Sequence, residues 1–590
     1  MEVSRIDTSG CDPVKTKRTT PYRPWHEIAG AKKAEQLSRI PKEWILPDSA
    51  LVTDAVDLRP IASLSGILSG RELEITGETY DATALLAKIA DGTYTSVEVV
   101  TAFCKRAAVA QQVCNCLTEI MFADAIAAAG KLDEEYSRTG KTVGPLHGLP
   151  MTFKVCIPSL CLPFMKAGHG RSDQMLTGWN MQECFHVKGY DASDGYISRA
   201  FDPSTTDSYL VSLVRAAGAV VIAKTNTPQT MLVAEAHNNL FGRTKNPVVS
   251  HLTCGGSSGG EASVLAFRGS PLGIGTDVGG SIRVPAAANG IYGYKPSFGV
   301  LPMLGYAASS WTGMNTGVPA VCGPMGHSAR DLSLLTKVVR AFKPWVEDPA
   351  MIPHICERGS SDRLPVVGVI EKSGITPHPP VLRAIREASE KLRQAGYQVK
   401  PFDPVDLLEI DKVTRQLFTL DGLSYQKREL AKVGEPPVPS VKNIGFWEVP
   451  PKAPEEMWVW NTRKLAMQKQ MLDLWKAAGV DVVLCPAGPH TAVRPHEWTL
   501  ITYTVAWNAV DYPAVVIPYT HADADLDPVC ESFEPLSDED KAAQAQYDPK
   551  LMHGAPVNLQ IVAQRLEDEQ LLKDVEMIDR VLNDGKTPAV

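Results

Sequence analysis

Three times along this 590-residue chain, an amphipathic helix pattern ends at a glycine and is followed by a short apolar run. The predicted helices cover residues 207–217, 381–395 and 464–478, and the glycines are Gly218, Gly396 and Gly479. Glycine just past a helix is a common stop signal. The apolar runs that follow (219–223, 397–399 and 481–484) are typical of strands buried on both faces. The pattern predicts an α/β fold with a sheet covered by helices.

The three units share topology but not sequence, so the chain is not a solenoid. Residues 1–24 are rich in Thr, Lys, Asp, Pro and Ser, and we expect a disordered N-terminal extension there. Residues 25–590 are then expected to form one domain, with the Pro-rich patches as excursions from a common core. An alternative is two domains that meet near residues 348–363.

Composition excludes several classes of protein. A net charge of −8 argues against nucleic acid or an anionic membrane as a partner. No run of eighteen apolar residues occurs, so no membrane span is expected. The twelve cysteines contain no C-x-x-C pair and the thirteen histidines show no zinc spacing, which predicts unpaired thiols and no metal site. We expect a cytoplasmic protein.

A glycine- and serine-rich segment carries the predicted chemistry. It begins with GGSSGGEAS at residues 255–263 and continues with GTDVGGSIRVP at 275–285, which places Ser257 and Ser281 24 positions apart. Glycines let backbone N–H groups approach a ligand closely, and a serine hydroxyl attacks a carbonyl once a base takes its proton. The segment therefore has the parts needed for acyl transfer.

These strings resemble the signature of the amidase signature family. Further matching motifs are GLPMTFK at 148–154, KTNTPQTM at 224–231, GIYGYKP at 290–296 and GAPVNLQ at 554–560. The resemblance covers about residue 60 to the end. It is strongest to the acetamidases and general amidases of filamentous fungi, and looser to fatty-acid amide hydrolases. It implies a single domain with a central mixed β-sheet flanked by helices on both faces.

The resemblance also implies a set of site residues. Ser281 would be the nucleophile, Ser257 the proton relay after a cis Gly256–Ser257 bond, and Lys154 the base. Met231 would line the acyl pocket. The oxyanion hole would consist of the backbone N–H groups of Val278, Gly279, Gly280 and Ser281. The substrate would be a small-molecule amide, no metal or organic cofactor is implied, and a homodimer is compatible with the family.

A lysine works as a base only when it is uncharged. Free lysine has a pKa near 10.4, and bringing it to about 7 takes roughly 4–5 kcal/mol of desolvation. The neighbours Leu149, Met151 and Phe153 are apolar, as such a site requires. Further pocket walls are expected from the aromatic-rich region between residues 421 and 460.

Several alternatives stay open from the residues alone. Residues 255–259 also match the G-x-S-x-G nucleophile elbow of serine esterases, although residues 250–254 make a poor preceding strand. A glutamine-dependent amidotransferase subunit is a further alternative within the family. Asp277 and Arg283 are charged within an apolar region, which favours a structural ion pair or backbone contacts over a chemical role, and Ser258 is expected only to hydrogen-bond the backbone.

The family pattern is interrupted directly after Lys154. Its expected continuation stands at residues 183–189 (ECFHVKG), and the 28 residues 155–182 lie between. Codons for Val155 and Cys156 can match the donor splice site at the start of an intron, and a codon for Gln182 can match the acceptor site at its end. We therefore interpret 155–182 as a retained, in-frame intron. The alternative is a genuine surface loop. An insertion beside the base would impair catalysis if it displaced Lys154, since about 1 Å can cost two orders of magnitude in rate.

Overall fold

In this computed structural model, the described residues are 23–48, 54–154, 185–304, 317–353, 363–445 and 447–583. The suspected insertion at 155–182 and nearly all of the predicted N-terminal extension lie outside them. Nineteen α-helices occur in the described residues: Trp25–Ser38, Ile61–Leu64, Gly70–Ile75, Ala82–Ala90, Ser96–Cys114, Phe122–Thr139, Tyr209–Ala216, Gly259–Ala266, Arg283–Asn289, Ala329–Ala341, Pro379–Gln394, Leu407–Phe418, Ser424–Ala431, Pro439–Lys442, Pro454–Ala478, Thr502–Ala509, Asp538–Ala545, Pro549–Met552 and Asp568–Leu582 (α1 to α19).

The described part of the chain has thirteen strands, of which eleven form one mixed sheet. They are β1 Leu117–Ile120, β2 Pro150–Lys154, β3 Val220–Thr225, β4 His237–Asn238, β5 Gly242–Arg243, β6 Leu272–Asp277, β7 Tyr292–Lys295, β8 Val321–Gly326, β9 Val367–Val369, β10 Val399–Pro401, β11 Val482–Pro486, β12 Ala514–His521 and β13 Pro556–Val562. The sheet order is β1-β3-β2-β6-β8-β7-β12-β13-β11-β9-β10, and β4 pairs with β5 as a separate ribbon. Strand β2 is parallel to both β3 and β6, whereas β6 is antiparallel to β8.

The three helix–glycine–strand units are confirmed. Helix α7 leads through Gly218 into β3, α11 leads through Gly396 into β10, and α15 leads through Gly479 into β11. All three glycines have positive φ (+96°, +88° and +58°), a conformation that costs glycine little.

Helices cover both faces of the sheet, as the apolar runs predicted. Along β11, Val482 and Leu484 belong to one buried apolar cluster, whereas Val483 and Cys485 belong to another. Successive side chains on a strand point to opposite faces, so both faces of this strand are buried. The first of these clusters includes residues of α11 and α19, and the second includes residues of α12, α15 and α16.

The sheet also joins the two halves of the chain. Strand β7 precedes residues 348–363 and β12 follows them, yet Ala514 of β12 pairs with Lys295 of β7. The chain therefore folds as a single domain. Among its described helices, none is both long enough and apolar enough to cross a membrane.

Candidate active site

The predicted base lies at the end of a central strand. Lys154 is the last residue of β2 and its side chain is fully buried (0% exposed). Its Nζ lies 2.7 Å from the Oγ of Ser257 and 2.7 Å from the Oγ1 of Thr276, near the end of the neighbouring strand β6. Because β2 and β6 are parallel, their carboxyl ends meet at one sheet edge, where α/β folds commonly place sites.

Ser257 precedes helix α8 and is also buried. The Gly256–Ser257 peptide bond is cis, as the family resemblance implied. A Cβ on Gly256 would lie 2.2 Å from the carbonyl oxygen of Glu235, so only glycine fits there. Among the described residues, the hydroxyl of the neighbouring Ser258 hydrogen-bonds only to the backbone of Thr276, at 3.4 Å, which confirms its predicted structural role.

The turn that carries Ser281 follows directly from β6. Asp277 accepts hydrogen bonds from the N–H groups of Gly280 (2.8 Å) and Ile282 (3.1 Å), so its carboxylate holds the turn on both sides of Ser281. The Ser281 carbonyl accepts the N–H of Ser258 at 3.0 Å. This bond fixes the two serine-bearing segments to each other.

Asp277 and Arg283 form a buried ion pair, as predicted. The Arg283 guanidinium donates to both carboxylate oxygens, with Nη2 to Oδ1 at 3.0 Å and Nε to Oδ2 at 3.1 Å, and Asn508 donates a further bond. Burial alone would raise the pKa of Asp277, but the adjacent Arg283 more than offsets it and holds that pKa well below its usual range. The carboxylate therefore stays ionised and keeps its bonds to the turn.

One predicted oxyanion donor needs correction. The Gly280 N–H is already used by Asp277, and a single N–H directed at a carboxylate is not free for a substrate oxygen. The N–H groups of Val278, Gly279 and Ser281 have no hydrogen-bond acceptor among the described residues. The candidate oxyanion hole therefore has three N–H donors instead of the four predicted from the sequence. The N–H of Gly280 stabilises the turn.

A cleft opens over this turn. Of the residues predicted from sequence, it is lined by Met231, Gly256, Val278, Gly279, Gly280 and Ser281. Of the described residues between 421 and 460, where aromatic walls were expected, Ser440 and Ile444 line the cleft, whereas Phe446 lies outside the described residues. Among the described residues, the aromatic lining comes from Phe418 and Trp498. No sequence signal pointed to these two, because each is brought to the cleft by an element far away along the chain.

Glu261 of helix α8 is buried against strands β2 and β3, close to the base. Its carboxyl group accepts hydrogen bonds from the hydroxyls of Thr152 and of Thr225, the latter at 2.8 Å. Burial raises the pKa of Glu261 to about 8, and the hydrogen bonds from the two hydroxyls lower it only in part.

This pKa makes the stability of the fold depend on pH. In the unfolded chain the carboxyl ionises near its usual 4.5, whereas the folded chain keeps the proton up to about pH 8. The contribution of Glu261 to the free energy of unfolding is thus fully present below pH 4.5 and is lost as pH rises to 8, by roughly 3–5 kcal/mol. In Glu261→Gln this dependence is expected to disappear. Urea unfolding at several pH values tests it, and parallel profiles for the two proteins would contradict it.

Comparisons with known proteins identify the family of this chain. The family model described as Amidase matches residues 98–163 and 180–572, and the unmatched stretch between them falls inside 155–182. The chain is 37% identical to an acetamidase of Emericella nidulans and 36% identical to one of Aspergillus oryzae. These alignments cover 96% and 95% of this chain and 99% of each relative.

A solved structure of a fatty acid amide hydrolase is similar over 95% of both chains, with 29% identity and a TM-score of 0.85. The family match spans most of the chain and the relatives align over nearly their whole length. The chain belongs to the amidase family and is an amide-hydrolysing enzyme.

Proposed function

We propose that the chain hydrolyses a carboxylic amide to a carboxylate and ammonia or an amine through an acyl-enzyme on Ser281. Ser257 is the proton relay and Lys154 is the base. The observation that carries the proposal is the 2.7 Å contact between Lys154 Nζ and Ser257 Oγ, at a fully buried lysine. No histidine among the described residues hydrogen-bonds to either serine, which favours lysine over the histidine that a serine esterase needs.

The proton path follows from these contacts. In this proposal a neutral Lys154 donates one N–H to the Oγ1 of Thr276 at 2.7 Å and the other to the Thr276 carbonyl at 3.4 Å, and its lone pair accepts the hydroxyl of Ser257. Ser281 Oγ bonds to the amide carbon, its proton moves to Ser257 Oγ, and the Ser257 proton moves to Lys154. When the C–N bond breaks, Ser257 gives a proton to the leaving nitrogen and takes one back from Lys154, which is neutral again. Water then cleaves the ester by the same route and regenerates Ser281.

Negative charge develops on the carbonyl oxygen in both steps. The N–H groups of Val278, Gly279 and Ser281 supply donors beside the nucleophile and are the oxyanion hole of this proposal. Loss of a single donor of this kind costs about 10²–10³-fold in kcat.

We propose a short-chain amide as the substrate, because two relatives that align over nearly their full length are acetamidases. A panel of acetamide, an aryl amide and a long-chain fatty amide tests this by ammonia or amine release. The expected result is the highest kcat/KM with acetamide. A preference for the long-chain amide would contradict it and would favour a specificity like that named for the fatty acid amide hydrolase neighbour.

A second candidate is a catalytically impaired product that carries a retained intron. The break in the family match inside residues 155–182 favours it, whereas the Lys154–Ser257 contact in the full-length chain favours a competent site. Fluorophosphonate labelling of Ser281 in chains with and without 155–182 separates the two. Equal rates would exclude impairment, and tryptic peptides spanning 172–188 in abundant active enzyme would exclude the intron.

We further propose a cytoplasmic location and a homodimer. The seven cysteines of the described residues are all free thiols, which is typical of a reducing compartment. The dimer rests on analogy with the family, and light scattering of the purified protein tests it through the molar mass.

A further inference from the structure

A cluster of metal-ligating side chains lies beside the cleft. Glu235 and His237 stand two residues apart at the start of β4, and His496 comes from the loop between β11 and α16. One ligand atom from each residue lies within 4.8 Å of the other two. The backbone N–H of His496 donates to Oε1 of Glu235, which holds the loop against this carboxylate.

Each of the three residues carries a buried atom without a hydrogen-bond partner. These atoms are Glu235 Oε2, His237 Nδ1 and His496 Nδ1, and the Glu235 side chain is only 3% exposed. Buried polar atoms without a hydrogen-bond partner are rare in folded proteins. Two of these atoms, Glu235 Oε2 and His496 Nδ1, lie 3.5 Å apart, and the three residues together are placed to hold a ligand that accepts electron pairs.

We propose that Glu235, His237 and His496 bind a divalent transition cation of the zinc type. Two imidazole nitrogens and one carboxylate oxygen are a common ligand set for Zn²⁺, with the fourth position left to water. The 4.8 Å limit on the ligand separation means that the side chains must close slightly around the ion, because Zn–N and Zn–O bonds are about 2.0–2.2 Å.

Arg243 competes with the cation. Its Nη2 donates to His496 Nε2 at 2.6 Å, and its Nη1 lies 3.7 Å from Glu235 Oε2. A guanidinium only donates, so a neutral His496 ring then carries its proton on Nδ1, the atom that the metal needs. Arg243 must turn away before the metal binds. This is feasible since the side chain is 28% exposed and its Nη1 has no hydrogen-bond partner.

The cation would act on the proposed reaction. Glu235 and His496 line the same cleft as Ser281, so an ion held between them narrows the route to the nucleophile. We expect Zn²⁺ to inhibit amide hydrolysis reversibly, and a chelator to restore it. This inhibition rests on the proposed function, whereas the binding itself does not.

The test uses the full-length protein and Zn²⁺ alone, with binding measured by calorimetry and by metal content after dialysis. Wild type is expected to hold one ion at this cluster. His237→Phe, which keeps a ring but is not among the residues that line the cleft, is expected to bind at least 100-fold more weakly. His26→Phe, at an exposed histidine of α1, is the matched control and is expected to bind as wild type does.

Arg243→Gln gives the sharpest test because it is expected to strengthen Zn²⁺ binding, whereas His237→Phe is expected to weaken it. Removal of a competing cation should tighten Zn²⁺ binding by about tenfold or more, which a merely structural role for Arg243 does not predict. Absence of binding to wild type, or equal binding by wild type and His237→Phe, would overturn the proposal. Binding that is present without inhibition would leave the site standing and would overturn only its effect on the cleft.

Discussion

Replacement of Ser281 with alanine is expected to lower kcat for amide hydrolysis by about 10⁵–10⁶-fold. Loss of a serine nucleophile of this kind removes the covalent route and leaves only the binding and oxyanion contributions. The Ser281 hydroxyl makes no hydrogen bond within the described residues, so the thermal midpoint should change little. Ammonia release from acetamide, together with a melting curve, measures both effects.

Ser258→Ala is the matched control. This serine lies in the same glycine-rich segment, yet its hydroxyl reaches only the Thr276 backbone. We expect it to keep activity within about tenfold of wild type, in line with the loss of one weak hydrogen bond. An active Ser281→Ala protein would show that the nucleophile has been assigned to the wrong serine.

Lys154→Met is expected to lower kcat by about 10²–10⁴-fold, the range for loss of a general base. Methionine keeps much of the length of the side chain and removes the amine, so a fully buried site is not left with a large cavity. Ser257 would then have no group to take its proton. Circular dichroism and urea unfolding separate this loss from a failure to fold.

Lys224→Met controls for the removal of a buried lysine as such. Lys224 stands on the neighbouring strand β3, is equally buried, and donates to the carbonyl of Asp191 instead of a serine. Its loss should lower stability without an effect on kcat of the size seen for Lys154. Equal losses of kcat in both variants would assign the effect to the buried charge and not to the base.

Local patterns were sufficient to predict the central parts of this enzyme. The helix–glycine–strand units predicted the layers because a stop at glycine and an apolar run are decided by neighbouring residues. The motifs around Lys154, Ser257 and Ser281 lie on strand ends and tight turns, whose geometry depends on short stretches rich in glycine. The structure brings Lys154 and Ser257 into direct contact, as the motifs implied.

Features that depend on long-range contacts could not be predicted. The aromatic cleft wall at Trp498 lies more than 200 residues from the Ser281 turn that it faces. The proposed metal site combines His237 with His496, which are far apart along the chain, so histidine spacing did not indicate it. The use of the Gly280 N–H by Asp277 is a matter of side-chain direction within one turn, which sequence alone does not determine.

The central claim is that an amine at Lys154 activates Ser281 through Ser257. The most direct measurement is the rate at which a fluorophosphonate labels wild type and Lys154→Met, with the labelled peptide identified by mass spectrometry. We predict the label on Ser281 and a rate at least 100-fold lower in Lys154→Met. Labelling of Ser257 instead, or an unchanged rate in a folded Lys154→Met protein, would contradict this mechanism.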